Sequence, residues 1–283
     1  VTKKKSDRPT FTYPDNFFDD GIPKGVLSIS GFNTMRRCPK QFDYAYVLGV
    51  INPPGIAMTK GKAVHKGAEV VHKHTIEHGT PLALESALQE VSDKFDNDKE
   101  DVEDWEDKKA GRVKDETLAH FREYYRQAVP LIKPVAAEKT FAKKFGTVPM
   151  RGVIDLIDQV PGDYTVDDDP EEPPPLVEVV SDLKLTGKNW SDQRVNEDPQ
   201  LTAYSMVEDV DRVRVDILLD QKKGTFYKPR RALRDVYIKK RLIEDLESVV
   251  YQIKQGIFPR CDPTAWNCSP KWCGYYTRCM GPK

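Results

Sequence analysis

Between residues 31 and 47 the apolar positions Phe32, Met35, Phe42 and Tyr46 fall on one helical face, and Ser28 or Ser30 just upstream suits an N-cap. The run Asn52-Pro53-Pro54-Gly55 interrupts that pattern as a turn. Helical spacing resumes over about 60–78 and again, highly charged, over 82–125. After Pro130 the period changes to that of strands. Residues 135–145 and 148–160 alternate as a hairpin about Gly146, and 176–185 reads as a third strand. The remainder predicts a helix at 200–207, a strand pair at 213–219 with 225–227, and a long amphipathic helix over 233–255. Residues 1–25, polar and rich in Pro and Asp, read as an extended arm, and 161–175 as a mobile acidic loop. Helices, then sheet, then helix, strands and helix indicate an α/β domain with a helical N-terminal part.

Composition changes this picture little. The 283 residues suffice for one sizeable core. With 44 basic and 45 acidic side chains the net charge is −1, which argues against a protein dedicated to coating nucleic acid. The average hides acidic blocks at 93–107 and 167–172 and basic ones at 3–5, 139–144 and 222–234. A site that processes phosphate needs both signs, so near-neutrality leaves it open. The acidic stretch at 93–107 reads by default as a solvated face. No apolar run of about 18 residues or more is present, so no membrane span is expected. No apolar segment follows the basic N-terminus, which predicts no secretory signal and a cytoplasmic location. The chain begins at Val1, which fits loss of an initiator Met or of a short leader.

Candidate chemistry lies in the middle of the chain. Asp155 sits in Arg151-Gly152-Val153-Ile154-Asp155-Leu156-Ile157, one carboxylate in an apolar strand. Asp182 and Lys184, two apart on the next strand, point to one face. Two carboxylates on adjacent strands make a hard-oxygen site for Mg²⁺ or Mn²⁺, and a lysine beside them can hold the attacking water or neutralise charge on a phosphate. Glu138, on the preceding strand, is a further candidate, with an exposed strand carboxylate as the commoner reading. An isolated Asp-x-Lys carries little weight, and a lone helical His is more often a surface or packing residue.

The order Gly61-x-x-x-His65, Gly152-x-x-Asp155, Asp182-Leu183-Lys184, Gln200-x-x-x-Tyr204 resembles the motif series of RecB-like nucleases of the PD-(D/E)XK superfamily. It is similar also to AddB nucleases and to CRISPR-associated exonucleases. The resemblance spans Leu27 to Cys279 and implies a restriction-endonuclease-like core with a central mixed sheet flanked by helices. One nuclease domain over 26–283 is then expected: a helical part at 26–130, the catalytic sheet at 131–230, and a helix with a cysteine-rich tail at 231–283. Carried over, the resemblance makes His65, Asp155 and Asp182 metal ligands, with the Leu183 carbonyl completing the set. Lys184 becomes the catalytic lysine, and Gln200 and Tyr204 face the substrate. It implies exonuclease action on single-stranded or frayed DNA ends in phage or bacterial recombination or repair. An endonuclease, a subunit of a larger DNA-processing complex, and a non-catalytic DNA-binding protein on the same fold are the rival readings. No Gly-x4-Gly-Lys-Ser/Thr loop occurs, so a helicase or recombination partner would be another chain.

Five cysteines are spread unevenly: Cys38 near the start, and Cys261, Cys268, Cys273 and Cys279 near the end. Four thiolates suit a [4Fe–4S] cluster or structural Zn²⁺, and free thiols are the bland alternative. The one-plus-three layout is similar to that of the iron–sulfur nucleases just named, which implies a cluster on Cys38, Cys268, Cys273 and Cys279 stapling the chain's two ends. The four-residue gap between Cys268 and Cys273 departs from the commoner gap of two, so Cys261 competes with Cys268 as first tail ligand. The interleaved Trp272, Tyr275 and Tyr276, with Trp266 before them, could shield a cluster from solvent. The tail aromatics and Tyr204 could also stack on bases.

Overall fold

The computed structural model describes residues 26–106, 108–162 and 174–281; the arm read over 1–25 and most of the acidic loop lie outside the described residues. Ser28 ends a two-residue strand, β1 (Leu27–Ser28), and its hydroxyl oxygen accepts the Gly31 N–H at 3.1 Å, capping α1 (Ile29–Arg37). Of the two serines considered, Ser28 is the cap. The helix expected over 31–47 breaks at Cys38, whose backbone is extended at φ −161° and ψ 103°. Pro39 is the cause: it disfavours helical dihedrals in the residue before it. The chain restarts as α2 (Pro39–Phe42) and widens into a π-helical turn, Asp43–Val47.

Helix α3 (Ile56–His78) ends at Gly79, which takes the left-handed φ of +74° that a helix C-terminus favours. The charged stretch read as helix over 82–125 is two helices, α4 (Leu84–Asp98) and α5 (Ala110–Gln127). The last turns of α4 carry Asp93, Asp96 and Asp98. Carboxylates at the negative end of a helix dipole favour termination there.

Strands β2 (Pro134–Phe145), β3 (Val148–Pro161), β4 (Leu176–Thr186), β5 (Arg212–Gln221) and β6 (Gly224–Leu233) complete one six-stranded mixed sheet. Its order is β1-β3-β4-β5-β6, with β2 paired to β3. Pairings β1/β3 and β4/β5 are parallel, while β3/β4 and β5/β6 are antiparallel. β6 is longer than the expected 225–227, running on through the basic residues Lys228, Arg230 and Arg231, which an edge strand tolerates. Between β4 and β5 run α6 (Asp192–Asn196), which the apolar pattern did not reveal, and α7 (Pro199–Glu208). Helices α8 (Val236–Lys254) and α9 (Tyr276–Met280) follow β6. Among the described residues, no helix is long and apolar enough to cross a membrane.

The chain divides into two compact units, one of 1–52, 142–151 and 243–283, the other of 53–141 and 152–242. In the second unit, Val64, Val71, Val91, Phe95, Phe121 and Tyr124 of α3, α4 and α5 pack with Leu156, Leu183 and Leu218 of the sheet. A second cluster joins Leu201 and Tyr204 of α7 to Ile157, Val180, Val213, Val215 and Ile217. On β4 and β5 the positions alternate between the two clusters, as a pleated strand buried on both faces requires.

Helix α3 meets its neighbours at Gly67, where an added Cβ would lie 2.4 Å from the Phe121 ring and 2.5 Å from the Val91 side chain. Gly67→Ala should therefore lower stability by about 1–2 kcal/mol, because overpacking outweighs the helix-propensity gain. The thermal midpoint should fall by several degrees, whereas Gly61→Ala, with no atom within 4 Å of its Cβ, should leave it unchanged or raised. Equal melting curves for the two variants would contradict this packing.

Candidate active site

The β3/β4 ladder pairs Leu156 with Ser181, and the next step would set Asp155 opposite Asp182. There the ladder gives way to a side chain: the Asp155 carboxylate accepts the Leu183 N–H at 3.0 Å. His65 of α3 reaches the same strand end. Its Nε2 lies 2.8 Å from the Leu183 carbonyl oxygen and its Nδ1 3.3 Å from Asp155 Oδ2. Sequence-distant His65, Asp155 and Leu183 are thus brought together. The other helical histidines go elsewhere: His72 pairs with Tyr124 and His74 with the Thr80 carbonyl.

Asp182 is buried, at 2% exposure. Lys184 Nζ lies 2.5 Å from its Oδ2, and Gln200 Nε2 donates to its Oδ1 at 2.7 Å. Gln200 is placed by the start of α7, where the Asp198 side chain accepts the Leu201 N–H at 2.9 Å and caps the helix. One turn on, the Tyr204 hydroxyl accepts from Gln200 at 2.7 Å. Tyr204 is 2% exposed, so its ring offers no open face on which a base could stack. Its ring instead meets Phe141 edge-on at 6.2 Å. That Phe141 ring fills the space over Gly152, where a Cβ would lie 2.6 Å from it. The glycine of Gly152-x-x-Asp155 thereby has a packing reason. It admits Phe141, which backs Tyr204, which orients Gln200 on Asp182.

Glu138 is half-buried rather than exposed, and its φ of +51° breaks the alternation of β2. Such left-handed strain in a strand costs about 1–3 kcal/mol and re-aims a side chain. Glu138, His65 and Asp155 each offer one ligand atom within 4.8 Å of the others, a spacing that can hold a metal ion, and they are the one such group among the described residues. Asp182, expected as a ligand, stands outside this trio, its two oxygens facing Lys184 and Gln200.

Burial governs the site's protonation. It pushes Asp155 up to about 6 and Asp182 up to about 7 despite the opposing pull of Lys184. Burial also raises Glu138, reinforced by the charge of Glu69, and lowers His65, which keeps the imidazole neutral and able to ligate. For Lys184, burial alone would lower the ammonium, but Asp182 and Asp155 outweigh it and hold it above its ordinary value.

Residues 26–280 match the family model of the PD-(D/E)XK nuclease superfamily. The chain belongs to that superfamily. Curated proteins yield no match. Among solved structures the chain is similar to a candidate exonuclease of Eubacterium rectale, at 11% identity and a TM-score of 0.51, over 91% of this chain and 92% of that one. It is also similar to the structure of SSO0001, at 11% identity and a TM-score of 0.34, over 77% of this chain and 85% of that one. At such identities the likeness bears on the fold alone.

The sequence reading missed a second polar cluster in this PD-(D/E)XK chain. Arg214 is buried between Asp158, at 2.5 Å, and Asp216, at 2.7 Å. Ser181 and Tyr227 both donate to Asp216. The signal that flagged Asp155, a carboxylate in an apolar strand, was equally present at Asp158 and Asp216. Their packing partners, not their sequence context, distinguish them.

The five cysteines lie in the other compact unit and line one cavity, together with Lys40, Tyr44 and Tyr275. Burial, then Cys38 and Cys268, push the Cys261 thiol up to about 12, and burial raises Cys273. Protein contacts also join the chain's two ends: Tyr275 stacks on Tyr44 at 5.5 Å and donates to the Val50 carbonyl at 2.9 Å. The shielding expected of Trp266 and Trp272 is not seen, because both are exposed.

Raised carboxylate pKa values set the sign of a pH effect. Asp155 and Asp182 hold protons to higher pH in the fold than in the unfolded chain, so without metal their contribution to stability is lost as pH rises through about 6 to 7. A bound divalent cation replaces those protons. The rise in melting temperature on adding Mn²⁺ should therefore be larger at about pH 8 than at about pH 6. A rise that is the same at both pH values, or larger in acid, would remove these carboxylates from the metal site.

Proposed function

We propose that this chain is a divalent-metal-dependent deoxyribonuclease that degrades DNA from its ends, preferring single-stranded or frayed substrates, in phage or bacterial recombination or repair. The observation that carries the reading is the Lys184–Asp182 pair beside the His65–Glu138–Asp155 group. A divalent cation bound there supplies Lewis acidity at the scissile phosphate and a water of lowered pKa. His65, Asp155, Asp182 and the Leu183 carbonyl would hold it, with Glu138 offering a further oxygen. The imidazole favours Mn²⁺ over Mg²⁺. Lys184 then meets the attacking water or the charge developing on the phosphate. Gln200 and Tyr204 are positioning residues, the tyrosine acting through the glutamine.

Exonuclease action is the finer part of this reading. It is supported by the motif series, which resembles that of RecB-like nucleases. A nuclease subunit working with a separate helicase or recombination protein is compatible with the same site. Lys184→Ala and Asp182→Ala should each lower hydrolysis of end-labelled linear single strands by about three decades while leaving a folded protein. Linear strands should vanish in Mg²⁺ or Mn²⁺ and survive in EDTA, and a covalently closed single-stranded circle should persist. Rapid cutting of the circle would make the enzyme an endonuclease. Variants within about tenfold of wild type would refute the site itself.

For the cysteines, the reading is a structural [4Fe–4S] cluster on Cys38, Cys268, Cys273 and Cys279, as in RecB- and AddB-like iron–sulfur nucleases. The cavity shared by all these thiols supports it. Anaerobically purified protein should be brown and carry about four iron and four sulfide per chain. Cys38→Ser and Cys268→Ser should lose the colour and Cys261→Ser should keep it. A colourless protein with stoichiometric zinc would replace the cluster by a zinc site.

A further inference from the structure

Two of the protein's four tryptophans are exposed, Trp266 at 71% and Trp272 at 59%. Trp190 is buried and Trp105 half-buried, so exposure is particular to this pair. The indoles lie against each other, ring centroids 5.9 Å apart and planes 79° from parallel. Their backbone is held by turns: Cys268 N–H donates to the Ala265 carbonyl at 2.8 Å, and Trp272 N–H to that of Ser269 at 3.1 Å. Two large apolar rings are thus fixed at the surface of the tail rather than packed beneath it.

Of the three cations in residues 258–281, Arg260 lines the cysteine cavity and Arg278 lies over the Tyr44 ring, while Lys271 adjoins the indoles; the one acid of the segment is Asp262. That carboxylate accepts both the N–H and the hydroxyl of Thr264, each at 2.7 Å. Lys271 Nζ lies 5.1 Å from the centre of the Trp272 ring. Aromatic faces interleaved with cations fit a strand that presents bases and phosphates in alternation. A hydrophobic protein partner would gain nothing from the Lys271 ammonium.

We propose that Trp266 and Trp272 form a stacking platform for single-stranded DNA, one base against each ring, with Lys271 meeting the phosphate between them. The platform rests on the nuclease reading above and adds to it a binding site separate from the catalytic residues. Because the two planes are nearly perpendicular, the bound strand must turn between successive bases. A flexible single strand can do this and a stacked duplex cannot. Stacking is indifferent to base identity, so the platform selects single-strandedness and not sequence.

The test is fluorescence anisotropy of a labelled 20-nucleotide oligothymidine with the intact protein in EDTA, alongside a blunt hairpin duplex. Each ring should contribute about 5- to 150-fold in affinity. Trp266→Ala/Trp272→Ala should bind oligothymidine about 30-fold or more weakly, and the duplex as wild type does. Trp266→Phe/Trp272→Phe, which keeps the aromatic faces, should restore most of the loss and guards against misfolding of the alanine variant. If wild type binds oligothymidine and the alanine variant stays within about threefold of it, the platform alone is overturned. If wild type does not bind the oligonucleotide, the single-strand reading falls with it. Wild-type self-association that disappears in the alanine variant would overturn the platform in favour of a contact between copies of the chain.

Discussion

Keeping two carboxylates charged inside the sheet is the constraint around which the catalytic unit is arranged. Asp155 and Asp182 sit at the end of the β3/β4 ladder, where burial penalises their ionised forms strongly enough to raise both. Each is held by specific donors: the Leu183 N–H for Asp155, Lys184 and Gln200 for Asp182. Buried charge is tolerable only when paired and hydrogen-bonded. His65, Glu138 and Asp155 converge without a cationic side chain among them, and Glu138 adopts a strained backbone to take part. A surplus of negative ligand atoms is what a divalent ion neutralises.

Around that centre the packing is specific. Gly152, Phe141, Tyr204 and Gln200 form a chain of contacts in which each member fixes the next, ending on Asp182. Arg214 with Asp158 and Asp216 bonds β3 to β5 through side chains, while Ser181 of β4 adds a third strand to the network. Losing one partner of such a buried group leaves an uncompensated charge, so the network favours one register of these strands over any slipped alternative. A site that must hold its ligands to a fraction of an ångström gains from both devices.

The unit that holds the cysteines is organised differently. Its aromatic side chains join distant parts of the chain, Phe42 stacking on Phe258 and Tyr44 on Tyr275. The break that Pro39 imposes at Cys38 ends α1 where that thiol joins the others at one cavity. Burial first, and then repulsion from the neighbouring Cys38 and Cys268, disfavours ionisation of Cys261. A metal group would relieve that repulsion by binding the thiolates directly.

By itself the sequence determined the order and type of nearly every element, because apolar periodicity reports the face each segment buries. It also placed Asp182 and Lys184 on one face, since alternation along a strand is local geometry. The pairing of Asp155 with His65 needed the motif series, because nothing local joins a helix to a strand ninety positions later. Three things were decided only by tertiary structure. Tyr204 became a buried support because Phe141 covers it. Glu138, at a positive φ that no propensity predicts, came within ligand distance of His65 and Asp155. Asp158 and Asp216, in the same apolar context as Asp155, became a buried ion-pair network because Arg214 lies between them. The physical reason is common to all three. Periodicity along the chain says which way a side chain points, but its chemistry depends on partners that only folding brings within hydrogen-bonding distance.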